Sequence, residues 1–193
     1  MKAFRETVFS CRSYTPLPFL VVMVVFAEPT PVSMLAGGIL TILGELVRSW
    51  GVAYAGPLTR VTGSVGAPEL IVAGPFARVR NPLYVGNMVM YVGFGIMANA
   101  LTPWLVLGAG VFFLTQYTII VTLEEEFLQK QFGETFTVYR KSVPRFLPRW
   151  TPATLPGQAG QRPDWGAGFR SERRTLQALV LVVLLIVVRW VWN

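Results

Sequence analysis

The residues best equipped for chemistry fall in two short stretches. In the first, residues 69–86 (ELIVAGPFARVRNPLYVG), glycine, proline, arginine and aromatic side chains crowd at the mouth of an apolar segment. Ala73-Gly74-Pro75 breaks the chain, and Arg78 and Arg80 then place two fixed positive charges on the approach. Asn81-Pro82 predicts a helix start, because proline is tolerated in a first helical turn and an Asn side chain can cap the free amides before it. Tyr84 and Gly86 fall within the first turns of that helix. An aromatic beside a residue with no side chain leaves room for a flat ligand to approach the backbone. The plainer reading is a membrane-entry loop with ordinary arginine anchors.

The second stretch is Glu124-Glu125-Glu126, at the end of an apolar run. Three adjacent carboxylates repel one another and are costly there unless a cation satisfies them. They are either solvated glutamates, some paired with Arg78, Arg80 or Lys130, or a carboxylate wall facing a cationic ligand or an amine. Much other chemistry is excluded by residue type. The chain has no histidine, which removes histidine-box iron oxygenases, histidine acid–base catalysis and most zinc chemistry. Cys11 is the only cysteine, so neither an intrachain disulfide nor a thiol metal site is expected, and no metal is assigned. Residues 93–98 (GFGIMA) formally match a dinucleotide glycine fingerprint, but no strand precedes them, and they read as helix-packing glycines.

The elements that must position these residues are membrane helices. Of 193 residues, 53% are hydrophobic and only 14% charged, against about 25% charged in soluble domains. Basic lead-in residues 1–13 precede an apolar run at 17–27, which is short for a span. A signal peptide is rejected, because no small-residue cleavage site follows and a second apolar segment comes at once. Glu28-Pro-Thr-Pro31 is a tight turn, and residues 32–47 return as a second helix whose Ala36, Gly37, Gly38 and Gly44 permit close packing. Residues 48–68, carrying Arg60, form a glycine-rich connection; 82–100 and 104–123 are the third and fourth spans. Residues 124–149 are polar and helix-prone, interrupted at Gly133. Residues 151–174 are expected along the membrane surface, and 176–192 form a fifth span.

Three basic residues precede the first span, four lie between the second and third and nine between the fourth and fifth, whereas the two opposite turns have none. The positive-inside rule then sets the N-terminus and both chemical stretches on the cytoplasmic side, and the expected location is a prokaryotic cytoplasmic membrane. The net charge of +7 is thereby explained by topology and not by nucleic acid. The expected fold is all-α: a polytopic membrane helical bundle of about five transmembrane helices. It forms a single domain in three parts: a hairpin and connection (1–68), a core (69–148), and a surface segment with a last helix (149–193).

GPFARVRNPLYVGN, followed one hairpin later by EEEFLQKQFGETFTVYRKSVPRFLP, resembles the isoprenylcysteine carboxyl methyltransferase and phospholipid methyltransferase superfamily. Its members are integral membrane enzymes that use S-adenosylmethionine. The second motif is carried by Glu124, Glu125, Leu128, Phe132, Gly133, Phe136, Tyr139, Val143 and Pro144, and the resemblance covers roughly residues 48–148. Asn81 stands where the prenylcysteine enzymes usually have histidine, and residues 116–122 lack the arginine of those enzymes; Asn-Pro-x-Tyr-x-Gly is familiar on the phospholipid and bacterial side.

By this resemblance Leu70, Ile71, Phe76 and Asn81, with backbone groups near Gly74, line the adenosine side of the cofactor. Arg80 holds its carboxylate, Glu124 or Glu125 its ammonium or ribose, and Tyr84 presses its ring on the sulfonium. Glu124, Glu125 and Tyr84 are thus the catalytic candidates, a glutamate taking the proton when the acceptor is an amine. Tyr139 and Arg145 face the acceptor, a lipophilic or lipidated molecule drawn from the bilayer. A membrane reductase using NADPH, sharing Arg-Asn-Pro-x-Tyr-x-Gly, and a non-catalytic membrane scaffold are the alternative readings.

Overall fold

The computed structural model describes residues 2–56 and 68–192. Residues 48–55, expected in a connection, are instead helical and continue the helix before them, whereas Arg60 and the rest of 57–67 lie outside the described residues. Among those described, the regular elements are helical: α1 (Lys2–Cys11), α2 (Pro16–Val25), α3 (Pro31–Ala55), α4 (Pro82–Ala98), α5 (Trp104–Ser142) and α6 (Trp165–Trp192), with 3-10 turns at Gly74–Ala77 and Gln158–Gly160. α3, α5 and α6 are long and apolar enough to cross a membrane, and α2 and α4 are shorter apolar helices packed among them. Lipid accounts for their exposed apolar faces, such as Val32, Leu35 and Ile39 on α3 and Val111 on α5. The 17–27 run does not extend into a longer helix. A turn at residues 12–15 separates α1 from α2, and ten residues at about 1.5 Å each reach only half of a hydrocarbon layer about 30 Å thick.

The α3–α4 hairpin is the frame. Thr30 opens α3 with a capping box: its hydroxyl accepts from the Ser33 amide at 3.1 Å, and Ser33 Oγ accepts from the Thr30 amide at 2.8 Å. Along the seam a Cβ on Gly44 would lie 2.7 Å from the Gly86 carbonyl oxygen, and one on Gly86 equally close to that of Gly44. Gly37 and Gly93 face each other in the same way one level further along. Backbones in direct contact give dense van der Waals packing where no water is present to drive helices together. Gly38, expected to share this role, meets only the Met97 methyl at 3.7 Å and takes no part in the seam.

α5 is 39 residues long, so it is nearly twice as long as an apolar layer of about 30 Å requires. Its apolar part ends at Leu123 and the glutamates follow. Gly133 (φ 53°) interrupts the helical dihedrals, at the position the sequence indicated. The arm beyond it docks on the 69–81 loop, where Tyr139 Oη donates to the Phe76 carbonyl at 2.9 Å and the Arg80 amide donates to the Pro144 carbonyl at 2.9 Å.

A second small core forms there from Val72, Phe136, Tyr139, Val143, Ala153 and Leu155. Residues 151–164 therefore pack onto this loop as a strap: the Ala153 amide donates to Ala77, and the Gln161 and Gln158 side chains bond the backbone of Leu70, Val72 and Ala73. α6 begins at Trp165, well before residue 176, because the Asp164 amide docks on the Ala53 carbonyl at 2.7 Å and Gly168 lets α6 approach the α3 backbone. Residues 165–174, expected in a surface segment, are thus the first turns of a long helix.

Candidate active site

A cavity of about 940 Å³ opens between the 69–81 loop and helices α2, α4, α5 and α6. Its size lies within the range of about 300–1,000 Å³ usual for small-molecule sites. The loop contributes Leu70, Ile71, Phe76, Arg80 and Asn81, and the helices contribute Tyr84, Glu124 and Tyr139. The fold thus gathers these eight predicted residues around one cavity. Gly74, Glu125 and Arg145 lie off it.

The polar corner of the cavity is built on Glu124. Tyr84 Oη donates to its carboxylate at 2.7 Å. The Tyr84 ring is fixed in turn by stacking on Tyr117, with centroids 4.7 Å apart. Arg12, from the turn before α2, brings a positive charge to the same cavity; its guanidinium lies over the Phe9 ring at 3.8 Å and donates to the Phe9 carbonyl at 2.8 Å. A carboxylate, an aromatic hydroxyl and a cation are thereby offered beside aromatic and apolar surface.

Glu125, the next residue, is buried in a closed knot. One oxygen accepts from Arg80 Nε at 3.0 Å and Nη2 at 2.9 Å, and the other is paired with Arg145. Arg80 Nη1 also donates to the carbonyls of Arg140 (2.9 Å) and Val143. A guanidinium has five donors, and these contacts occupy most of them in holding α4 against the end of α5. Arg145 is similarly held by Glu125 and Thr122. Asn81 immediately precedes α4 without capping it by its side chain; its Nδ2 donates instead to the Arg145 carbonyl at 3.1 Å. The second motif supplies a carbonyl that competes for the amide. Gly74 (φ 59°) faces the Tyr54 ring, so close that any side chain would collide with it.

The sequence reading missed a buried polar cluster that also lines the cavity. Arg48 of α3 donates to Asn87 Oδ1 at 2.7 Å, pairs with Glu172 of α6, and lies 3.7 Å from Glu45. Glu172 is only 2% exposed. Asn87 passes the network to Tyr117 Oη at 3.4 Å. The available signal was Glu45 and Arg48, two ionisable residues one turn apart in an otherwise apolar helix, where charge is expensive unless used. Glu172, Arg174 and Thr175, which also line the cavity, were hidden in a stretch read as a surface connection.

A model of the phospholipid methyltransferase family matches residues 32–135. The chain belongs to this family. With its long apolar helices, the chain is an integral membrane protein. The family match runs from α3 past the Gly133 kink and includes the 69–81 loop, Tyr84 and the glutamates; α2, the strap and α6 lie outside it.

Two curated proteins are similar to this family member over part of its length. One is the nickel-cobalt-cadmium resistance protein NccN of Alcaligenes xylosoxydans xylosoxydans, 36% identical over 81 residues, which are 42% of this chain and 37% of that protein. The other is the cobalt-zinc-cadmium resistance protein CzcN of Cupriavidus metallidurans, 35% identical over 80 residues, 42% of this chain and 36% of that protein. The chain thus matches little more than a third of the length of these relatives. No solved structure matches it.

Proposed function

We propose that the protein moves a methyl group from S-adenosylmethionine to a lipophilic acceptor, with the cofactor in the corner made by the 69–81 loop, Tyr84 and Glu124. The observation that carries this reading is the Tyr84–Glu124 pair, 2.7 Å apart, on the wall of a cavity that the family's signature loop also lines. The residues fit such a cofactor. Glu124 is a carboxylate for an ammonium or a ribose diol, Tyr84 an aromatic ring for a cation, and Leu70, Ile71 and Phe76 an apolar bed for adenine. When bound, the cofactor supplies an activated methyl on a positively charged sulfur, so the protein needs no nucleophile of its own.

The chain's own work is alignment and exclusion of water. Arg80 and Tyr139 hold the loop closed against the α5 arm through their backbone partners. Glu125 and Arg145, set by the resemblance toward cofactor and acceptor, act through Arg80 and Asn81 as positioning residues. Glu124 is the group able to take a proton from an amine acceptor. The distribution of basic residues favours the cytoplasmic side for this end of the bundle, so the cofactor enters from solvent and the acceptor from the bilayer.

Calorimetric titration of S-adenosylhomocysteine into detergent-purified protein tests the reading. One-site saturable binding is the expected result. A folded protein that binds none of it overturns the proposal, and protection against heat by NADPH would shift the assignment to a reductase.

A further inference from the structure

The two ends of the Tyr84 side chain are fixed by different neighbours. Its hydroxyl donates to Glu124 at 2.7 Å, and Tyr117 of α5 stacks on one face of its ring with centroids 4.7 Å apart. A cation can therefore meet only the other face, and how closely it does so depends on where Tyr117 holds the ring. Tyr117 is 4% exposed and lines the same cavity. Its ring packs against Phe9, Phe113 and Ile120, apolar contacts that carry little direction.

Direction comes from the Tyr117 hydroxyl. Asn87 Nδ2 donates to it at 3.4 Å, and Tyr91 hydrogen-bonds it as well. Tyr84, Asn87 and Tyr91 stand at i, i+3 and i+7 on one face of α4, so the ring and the groups that steady its backstop share one rigid element. Asn87 has two chemically different ends, and Arg48 of α3 decides which way they point. A guanidinium can only donate, so Arg48 Nη1 takes Oδ1, at 2.7 Å, and leaves Nδ2 for Tyr117. Arg48 is held in turn by Glu172 of α6. The chain of contacts thus runs from α6 through α3 and α4 to α5, and returns to Tyr84.

Resting on the methyltransferase reading above, we infer that Arg48, Asn87 and Tyr117 are positioning residues that hold the Tyr84 ring where it meets the positive charge of the cofactor. They act through that ring. The attraction between a ring face and a cation has no counterpart for a neutral sulfur. The network therefore sets how far the protein prefers the charged cofactor to the neutral thioether left after methyl transfer, and so helps the spent cofactor to leave.

Calorimetry of the full chain with two ligands tests this: S-adenosylhomocysteine, neutral at sulfur, and sinefungin, which carries an ammonium where the cofactor has its sulfonium. Y117F should lower sinefungin affinity about fivefold and N87L about threefold, while S-adenosylhomocysteine stays within about 1.5-fold. The double variant should lose no more than Y117F alone, because both changes act on one ring. Equal losses for the two ligands, or no loss for sinefungin, overturn the positioning role. Y117F removes one hydroxyl and keeps the stacked ring, so it carries the test by itself if N87L does not fold. A second readout needs no ligand: the fluorine resonance of 3-fluorotyrosine placed at position 84 should shift and broaden in both variants, and an unchanged resonance overturns the proposal. A wild type that binds neither ligand strikes the methyltransferase reading instead, and the fluorine signal then decides whether the network sets the ring.

Discussion

Glu124 and Glu125 are neighbours in the chain and opposites in the structure. Glu124 faces a large cavity and accepts from a tyrosine hydroxyl, that of Tyr84. Glu125 is buried, with both oxygens taken by two arginines from different segments. Glu126, one step further, is exposed and meets Arg5 of α1 at 2.8 Å. A helix turns about 100° per residue, so three identical side chains in a row address three environments. The comparison teaches that the acidic run is neither a uniform carboxylate wall nor a solvated face. It is one cavity-facing carboxylate, one structural anion and one surface ion pair.

The comparison breaks most visibly at Glu125. E125A leaves two guanidinium groups facing each other without their anion, and removing one partner of a buried pair usually destabilises by about 3–5 kcal/mol. Thermal unfolding of the cofactor-free protein should show a large fall in midpoint, and an unchanged midpoint would remove the structural role given to the knot. E124Q should do the reverse. The cofactor-free midpoint should hold, while S-adenosylhomocysteine affinity falls by roughly tenfold or more, the range of a hydrogen bond to a charged group at about 1.5–3 kcal/mol. Equal affinity in calorimetry would take Glu124 out of the site. R5A is the mildest of the three. An exposed pair contributes about 0–1 kcal/mol and fades with salt, so the midpoint should shift little at low ionic strength and not at all at high.

Much of the fold was legible for plain reasons. Long apolar runs have one stable solution in a bilayer, the helix, because every backbone polar group must find a partner within the segment. Gly133 and the Pro31 start of α3 were readable as breaks and caps from residue type. Less legible was the use of side chains with several possible partners. Asn81 at a helix start suggested a cap, yet its amide reaches the Arg145 carbonyl. The resemblance gave Arg80 a cofactor carboxylate, yet Glu125 and two carbonyls at the end of the α5 arm bond it instead. Arg48 was placed at the start of a connection, yet it lies in α3 and α6 brings Glu172 to it.

By itself the sequence determined the class, an all-helical membrane chain, and the two motifs that place it among methyltransferase-like proteins. The class follows from local quantities, namely hydropathy over a window, the fixed dihedral of proline and the small volume of glycine, whereas the motifs carry a resemblance of residue type and spacing. Only the tertiary structure decided which of three adjacent glutamates faces the cavity, which arginines are consumed in holding the loop, and that α6 supplies part of the wall. Those outcomes depend on which segments meet after the Gly133 bend and the docking of Asp164 on Ala53, and contacts between residues so far apart in the chain leave no trace in local composition.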